Sequence, residues 1–109
     1  MYEYRAFVKK VYDGDTITAD IDLGFGITMK NQKIRLLNVN APEVRGKERP
    51  QGLHTKQVVS DFILGKDIKI KTHKDKKGKY GRWLAEVWID DTCINTWLIN
   101  EGLAKPYRK

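Results

Sequence analysis

Hydrophobic and polar positions alternate over most of the chain. "YRAFVKKV" (Tyr4 to Val11) alternates loosely and predicts a strand. Asp13-Gly14 is a turn pair, after which "TITADID" (Thr16 to Asp22) sets Ile17, Ala19 and Ile21 against polar neighbours. That pattern predicts a half-exposed strand folded back as a hairpin. Leu23 to Gly26 reads as a turn and Ile27 to Met29 as a further strand. "KIRLLNV" (Lys33 to Val39) is the next strand, which Pro42 ends. A loop from Asn40 to Gly52 holds two prolines and two glycines. The spacing then changes: Leu53, Val58, Val59, Phe62 and Ile63 fall on one helical face, with Gly65 as the stop. "KDIKIKTH" (Lys66 to His73) returns to period two, "KDKKGKYG" is a hairpin loop, and "RWLAEVWI" (Arg82 to Ile89) is the last long strand. "CINTWLINEGL" (Cys93 to Leu103) places Ile94, Trp97 and Leu98 at helical spacing and stops at Gly102, leaving a short basic tail, "AKPYRK".

Five main strands with a helix between the third and fourth predict a small closed antiparallel barrel of the OB type, mostly β with α (α+β), its two or three helices packed outside. At 109 residues the expectation is one domain, 1–109. A chain of this length builds its own core with no disulfide or metal staple. The single cysteine, Cys93, lies in a mostly apolar context where a small buried thiol is the default. No apolar run approaches the ~20 residues of a membrane span, so no membrane association is expected. "MYEYRAFVKK" has no basic-then-apolar leader pattern. The expected location is cytoplasmic for the chain as it stands, or secreted if a leader has been removed. No protein partner is implied, and a monomer is expected.

Charge narrows the function. Lys and Arg number 21 against 14 Asp and Glu, a formal net charge of +7. A domain this basic either meets something anionic or is charged for solubility alone. Eight basic and two acidic residues fall between Lys66 and Arg82, so most of the excess lies there. The segment reads as an exposed, charged hairpin or as a track for a nucleic-acid backbone leading toward Arg82. Tyr80 is the candidate for base stacking. Trp83, Trp88 and Trp97 read as core, and His54 and His73 have no partner at metal spacing.

Against that background, "VYDGDTITADID" gathers four carboxylates with no base among them. A hairpin turn explains Asp13 but explains Asp15 less well. Crowded carboxylates repel unless solvent screens them or a hard cation sits between them. Both a solvated turn and a metal site stay open on local sequence. Arg35, in "IRLL", either snorkels or points into a cleft; Glu43 is free in a loop to reach a barrel mouth.

"DGDTI" (Asp13 to Ile17), "RLLNVNAPE" (Arg35 to Glu43), "KYGRWLA" (Lys79 to Ala85) and "INEGLAK" (Ile99 to Lys105) occur in an order and spacing that resembles the staphylococcal nuclease family. The likeness runs from about Lys10 to Lys105. It implies a five-stranded OB barrel and a calcium-dependent phosphodiesterase acting on DNA and RNA with little sequence preference. By the same resemblance Asp15 is a direct metal ligand and Asp13 a supporting acid. Position 40 supplies a second side-chain ligand, and the main-chain carbonyl of Ala41 a third oxygen. Glu43 orients or deprotonates the attacking water, and Arg35 and Arg82 bind the phosphate. Lys79 and Tyr80 hold the nucleotide, with Tyr107 near the base or terminal phosphate.

One residue departs from the family pattern. Asn40 stands where an aspartate is usual, and a neutral amide oxygen weakens calcium binding unless another acid compensates. Asp20 and Asp22 are candidates only if strand twist brings them round, and Glu48 only from its loop. Another divalent cation could then replace calcium. The departure keeps a second function open: an OB-fold nucleic-acid-binding module with weak or no catalysis.

Overall fold

The computed structural model describes residues 2–72 and 81–107. Among these described residues, eight strands and two α-helices follow in the order β1 (Tyr2–Asp13), β2 (Thr16–Gly24), β3 (Ile27–Leu36), β4 (Val39–Asn40), α1 (Arg49–Ile63), β5 (Asp67–Thr72), β6 (Trp83–Ile89), β7 (Thr92–Cys93), α2 (Ile94–Asn100) and β8 (Lys105–Pro106). A 3-10 turn at Gly46–Glu48 precedes α1. The strands run β3-β2-β1-β5-β6, and β3 also pairs with β6 in parallel, which closes a five-stranded barrel of the expected OB type. Closure removes the exposed edges that an open sheet of this length would carry. β7 hairpins onto β6, and β4 pairs with β8 as a separate ribbon.

Ile17, Ala19 and Ile21 point inward as their alternation predicts, joined by Val8, Ile34, Leu36, Ile70 and Val87. Val59 and Ile63 of α1 and Ile94 and Leu98 of α2 cover this core from outside. Trp83 and Trp97 pack against it, with Trp97 edge-on to Phe62. Trp88 is half-buried beneath Lys71, whose Nζ lies 4.2 Å from the ring centre. No helix among the described residues is long and apolar enough to cross a membrane.

Four expectations need correction. The separate strands Ile27–Met29 and Lys33–Val39 are one bulged strand that ends at Leu36. Asn31 takes φ 56° at the bulge and donates its N–H to Asp20, a local bond that a hydrophobicity pattern does not reveal. The chain then turns at Leu37-Asn38 because Asn38 accepts φ 62°, so Val39 belongs to a different ribbon. α1 begins at Arg49, four residues before Leu53, with Pro50 in its first turn. Its buried face is Gly52, Thr55, Val59 and Ile63, while Leu53 is 39% exposed. Small residues carry the near end of that face, which apolar spacing misreads. Cys93 is half-buried rather than buried, since it precedes α2 at the edge of the barrel.

Candidate functional site

The site begins at the β1–β2 turn. Asp13 Oδ1 accepts the Asp15 N–H at 3.1 Å, a side-chain-closed turn that fixes where Asp15 points. Gly14 makes the turn fit: a Cβ there would lie 2.5 Å from Thr55 Cγ2 and 2.8 Å from the Ala41 Cβ. The turn is thus seated on α1 and on the segment after β4. Thr55 itself is buried and donates its hydroxyl to the Leu103 carbonyl at 2.9 Å, tying α1 to the C-terminal segment.

Asp15 is 6% exposed and sits at the centre of the arrangement. Its Oδ1 accepts the Thr16 hydroxyl at 3.0 Å, and its Oδ2 accepts the Ala41 N–H at 2.9 Å. Arg35 Nη2 stands 3.5 Å from the same Oδ2. Arg35 reaches this position because its partner in the β2–β3 ladder is Thr16. Its Nη1 donates to the carbonyls of Leu36 (3.1 Å) and Val39 (2.9 Å), so the guanidinium also holds the turn that launches β4. Tyr107 lies alongside, its ring centre 5.1 Å from the Arg35 guanidinium carbon and its N–H on the Asn38 carbonyl. These bonds use three of the five guanidinium N–H groups. Arg82, just before β6, donates from Nη1 to the Thr16 hydroxyl at 3.4 Å. One hydroxyl therefore accepts from Arg82 and donates to Asp15, linking the two arginines through a threonine and a carboxylate.

The electrostatics of the turn are strained. Asp13 is pushed up to about 7, first by burial and then by the hydrogen bond and charge of Asp15 beside it. Two carboxylates are thus crowded in a half-buried turn, with the Arg35 guanidinium 3.5 Å from Asp15. The residues that could hold a cation carry hard oxygens only: the Asp13 and Asp15 carboxylates on the turn, with the Ala41 carbonyl and the Asn40 amide on the segment joined to it by the Ala41 N–H. Oxygen donors of these kinds are what calcium takes, together with water. No group of three His, Cys, Asp or Glu side chains that could hold a metal occurs among the described residues. Any ion held here would keep several waters.

Asn40 is exposed and faces Lys105 across the β4–β8 ribbon. Glu43 is exposed on the loop that follows; its N–H is held by Glu48 Oε1 at 3.3 Å. A Cβ on Gly52 would collide with the Glu43 carbonyl and lie 2.9 Å from the Val44 nitrogen, so helix and loop touch backbone to backbone. Lys79 and Tyr80, with the rest of residues 73–80 that the sequence suggested as a basic hairpin loop, lie outside the described residues. Asp20 and Asp22 serve elsewhere, accepting the N–H groups of Asn31 and Gly24. A cavity of about 600 Å³ is lined by Asn40, Ala41, Pro42, Glu48, His54 and Lys105 among others and includes none of Asp15, Arg35 or Arg82. Geometry and charge, rather than cavity size, mark the site.

Sequence reasoning missed Thr16 and Gly52 as site-building residues and offered Glu48 only as a compensating acid. Thr16 follows "DGD" directly, where a hydroxyl beside two acids is a usable signal. Gly52 gave a signal too, as a glycine inside what proves to be a helix. Nothing in the sequence marks Glu48 as a backbone acceptor.

Comparison with known proteins identifies the family. The sequence profile described as "Staphylococcal nuclease homologue" matches residues 33–109. That range includes Arg35, Asn40, Ala41, Glu43 and Arg82, and begins after the Asp13–Asp15 turn. Among curated relatives, thermonuclease of Staphylococcus intermedius is 33% identical over 101 residues, covering 90% of this chain and 56% of its own length. Thermonuclease of Staphylococcus hyicus is 34% identical over 102 residues, covering 90% and 56%. An uncharacterized endonuclease of Haemophilus influenzae is 31% identical over 104 residues, covering 94% and 52%. The chain spans about half the length of these relatives. With the barrel, the acidic turn and both arginines in place, the chain belongs to the family of staphylococcal nuclease homologues.

Proposed function

We propose that the chain is a nuclease, a phosphodiesterase that cleaves DNA and RNA with little sequence preference and depends on calcium or a similar divalent cation. The observation that carries this reading is the convergence of Asp15, Arg35 and Arg82 through the Thr16 hydroxyl, on a turn that also holds Ala41. The names of the relatives, two thermonucleases and an endonuclease, point the same way.

Phosphodiester hydrolysis builds negative charge on the phosphoryl oxygens. In this reading Arg35 and Arg82 meet that charge with planar, permanently charged donors. Arg35 keeps N–H groups beyond those fixed on Asp15 and the two carbonyls. The fixed bonds hold its plane rigid, so little reorganisation is needed as charge develops. Arg82, steadied by Thr16, approaches from just before the neighbouring strand β6. Glu43, exposed on a loop braced by Gly52 and Glu48, is the carboxylate available to take a proton from an attacking water. Asp15, Asp13, Asn40 and the Ala41 carbonyl would hold the cation. When bound, it would supply Lewis-acid polarisation of the phosphate and ordering of water. Tyr107, stacked on Arg35, and Lys79 and Tyr80 complete the nucleotide contacts.

Asn40 favours a second reading, nucleic-acid binding with little or no cleavage. It contributes no charge to the cation site and lies opposite a lysine. The test is to incubate the chain with heat-denatured DNA, with calcium and with excess chelator. Degradation that requires calcium supports the nuclease. Salt-sensitive binding with no degradation at any calcium level supports the binding module and overturns the nuclease.

A further inference from the structure

Beside the site, the outer face of β1, β2 and β3 carries a groove of about 520 Å³ lined by Lys10, Tyr12, Thr16, Thr18, Lys33 and Arg82. It shares Thr16 and Arg82 with the site already described. We propose that this groove holds the single-stranded continuation of a nucleic-acid substrate, with backbone phosphates on Lys10 and Lys33 and a base against Tyr12. The inference rests on the nucleic-acid reading above and adds where the strand runs beyond the scissile phosphate.

The ladder puts these residues in rows. Lys10 pairs with Thr18, and Thr18 with Lys33, so two lysines flank one threonine across three strands. The next row along β2 and β3 is Thr16 with Arg35. Residues two apart point to the same face and are separated by about 7 Å. The lysine row therefore lies one short step from the Arg35–Arg82 pair, on the scale of one nucleotide of extended backbone. Lys10 and Lys33 are exposed and form no ion pair among the described residues. Each is thus available to a phosphate.

Tyr12 lines the groove two residues from Lys10, beside a local irregularity. The β1–β2 register shifts between Val11 and Asp13, leaving Tyr12 as the extra residue opposite the Ile17–Thr16 pair. A bulge of this kind re-aims a side chain and is common beside functional sites. Tyr12 is 47% exposed, and its hydroxyl accepts from Arg45 Nη2 at 3.3 Å, which adds a cation from the loop that carries Glu43 to Lys10, Lys33 and Arg82. A basic row with an exposed, anchored aromatic ring is the chemistry of a single-strand track.

The test is fluorescence anisotropy with a labelled oligothymidylate of about twelve nucleotides. It is run in excess chelator over a salt series, with each variant checked for an unchanged melting profile. The Lys10→Ala/Lys33→Ala variant is expected to weaken binding about tenfold at low salt and to lower the log–log salt slope by about 1.4, two phosphate contacts on a single strand. Tyr12→Ala is expected to lose about tenfold and Tyr12→Phe to retain most of the affinity. Lys9→Ala, one residue away but engaged by Asp20 and Asn31, is the control and leaves the slope unchanged. An unchanged slope in the double lysine variant overturns the groove, as does no measurable binding by the parent chain. Calcium-dependent degradation by the same parent preparation is scored separately. Its loss contradicts the nuclease, while a lysine-dependent slope still supports the groove.

Discussion

The Arg35 guanidinium stands 3.5 Å from the Asp15 carboxylate, and only 15% and 9% of the two side chains are exposed. An ion pair this sheltered differs from a surface pair, because removing one partner leaves the other charge with little water to replace it. Asp15→Asn keeps the shape but presents an amide to both Arg35 and the Ala41 N–H. Relief of the crowding with Asp13 offsets part of the loss. The net expectation is a loss of about 1–2 kcal/mol of stability, read from the urea midpoint, together with loss of calcium binding. A midpoint equal to the parent's contradicts a structural role for the pair.

Gly52 decides how closely α1 approaches the Glu43 loop. Alanine is worth about 1 kcal/mol more than glycine inside a helix, so Gly52→Ala would stabilise if space allowed. Its methyl would instead meet the Glu43 carbonyl and the Val44 nitrogen, both main chain and unable to swing aside. Overpacking costs about 1–3 kcal/mol, so the clash wins. The expected outcome is a lower melting temperature and a cleavage rate down at least about tenfold, since small misplacements of catalytic groups are costly. A stabilised, fully active variant contradicts the close approach.

Asp13 gives the metal-free protein a pH dependence. Its folded-state value near 7 is above its ordinary 3.8. The unfolded chain releases this proton near pH 4 and the folded chain holds it to about pH 7. Between those limits the folded state binds more protons, so stability falls as pH rises and levels off above 7. Melting temperatures measured from pH 4 to 8 in excess chelator should show this decline. Asp13→Asn should flatten it, and an equal decline in the variant assigns it to another group.

Position 40 tests the cation assignment. Asn40→Asp adds a charge to an oxygen donor set, which should tighten calcium binding about tenfold by calorimetry. Lys105, opposite in the ribbon, competes for part of that charge. Unchanged affinity removes position 40 from the ligand set.

The barrel was legible in the sequence wherever alternation was clean. Ile17, Ala19 and Ile21 are buried, and "IKIKT" is β5. It was illegible where a single residue bends the chain. The bulge opposite Asp20 and the turn at Asn38 depend on local hydrogen bonds and left-handed backbone, which hydrophobic period does not encode. The start of α1 was hidden because Gly52 and Thr55 bury a face without apolar bulk. For the site, the family resemblance singled out Asp13, Asp15, Arg35 and Arg82, which the fold brings together around the β1–β2 turn. The linking role of Thr16 required coordinates. So did the position of Tyr107, which reaches Arg35 only because β8 pairs with β4.

The most direct test of the central claim, that this turn and its two arginines hydrolyse a phosphodiester with Glu43 handling the proton, is single-turnover cleavage of a single-stranded oligonucleotide at saturating calcium. The parent chain is compared with Glu43→Gln, and oligonucleotide binding is measured alongside. The account predicts a cleavage rate lowered by about a hundredfold or more in Glu43→Gln, with binding retained. A rate equal to the parent's, or no cleavage by the parent itself, contradicts it.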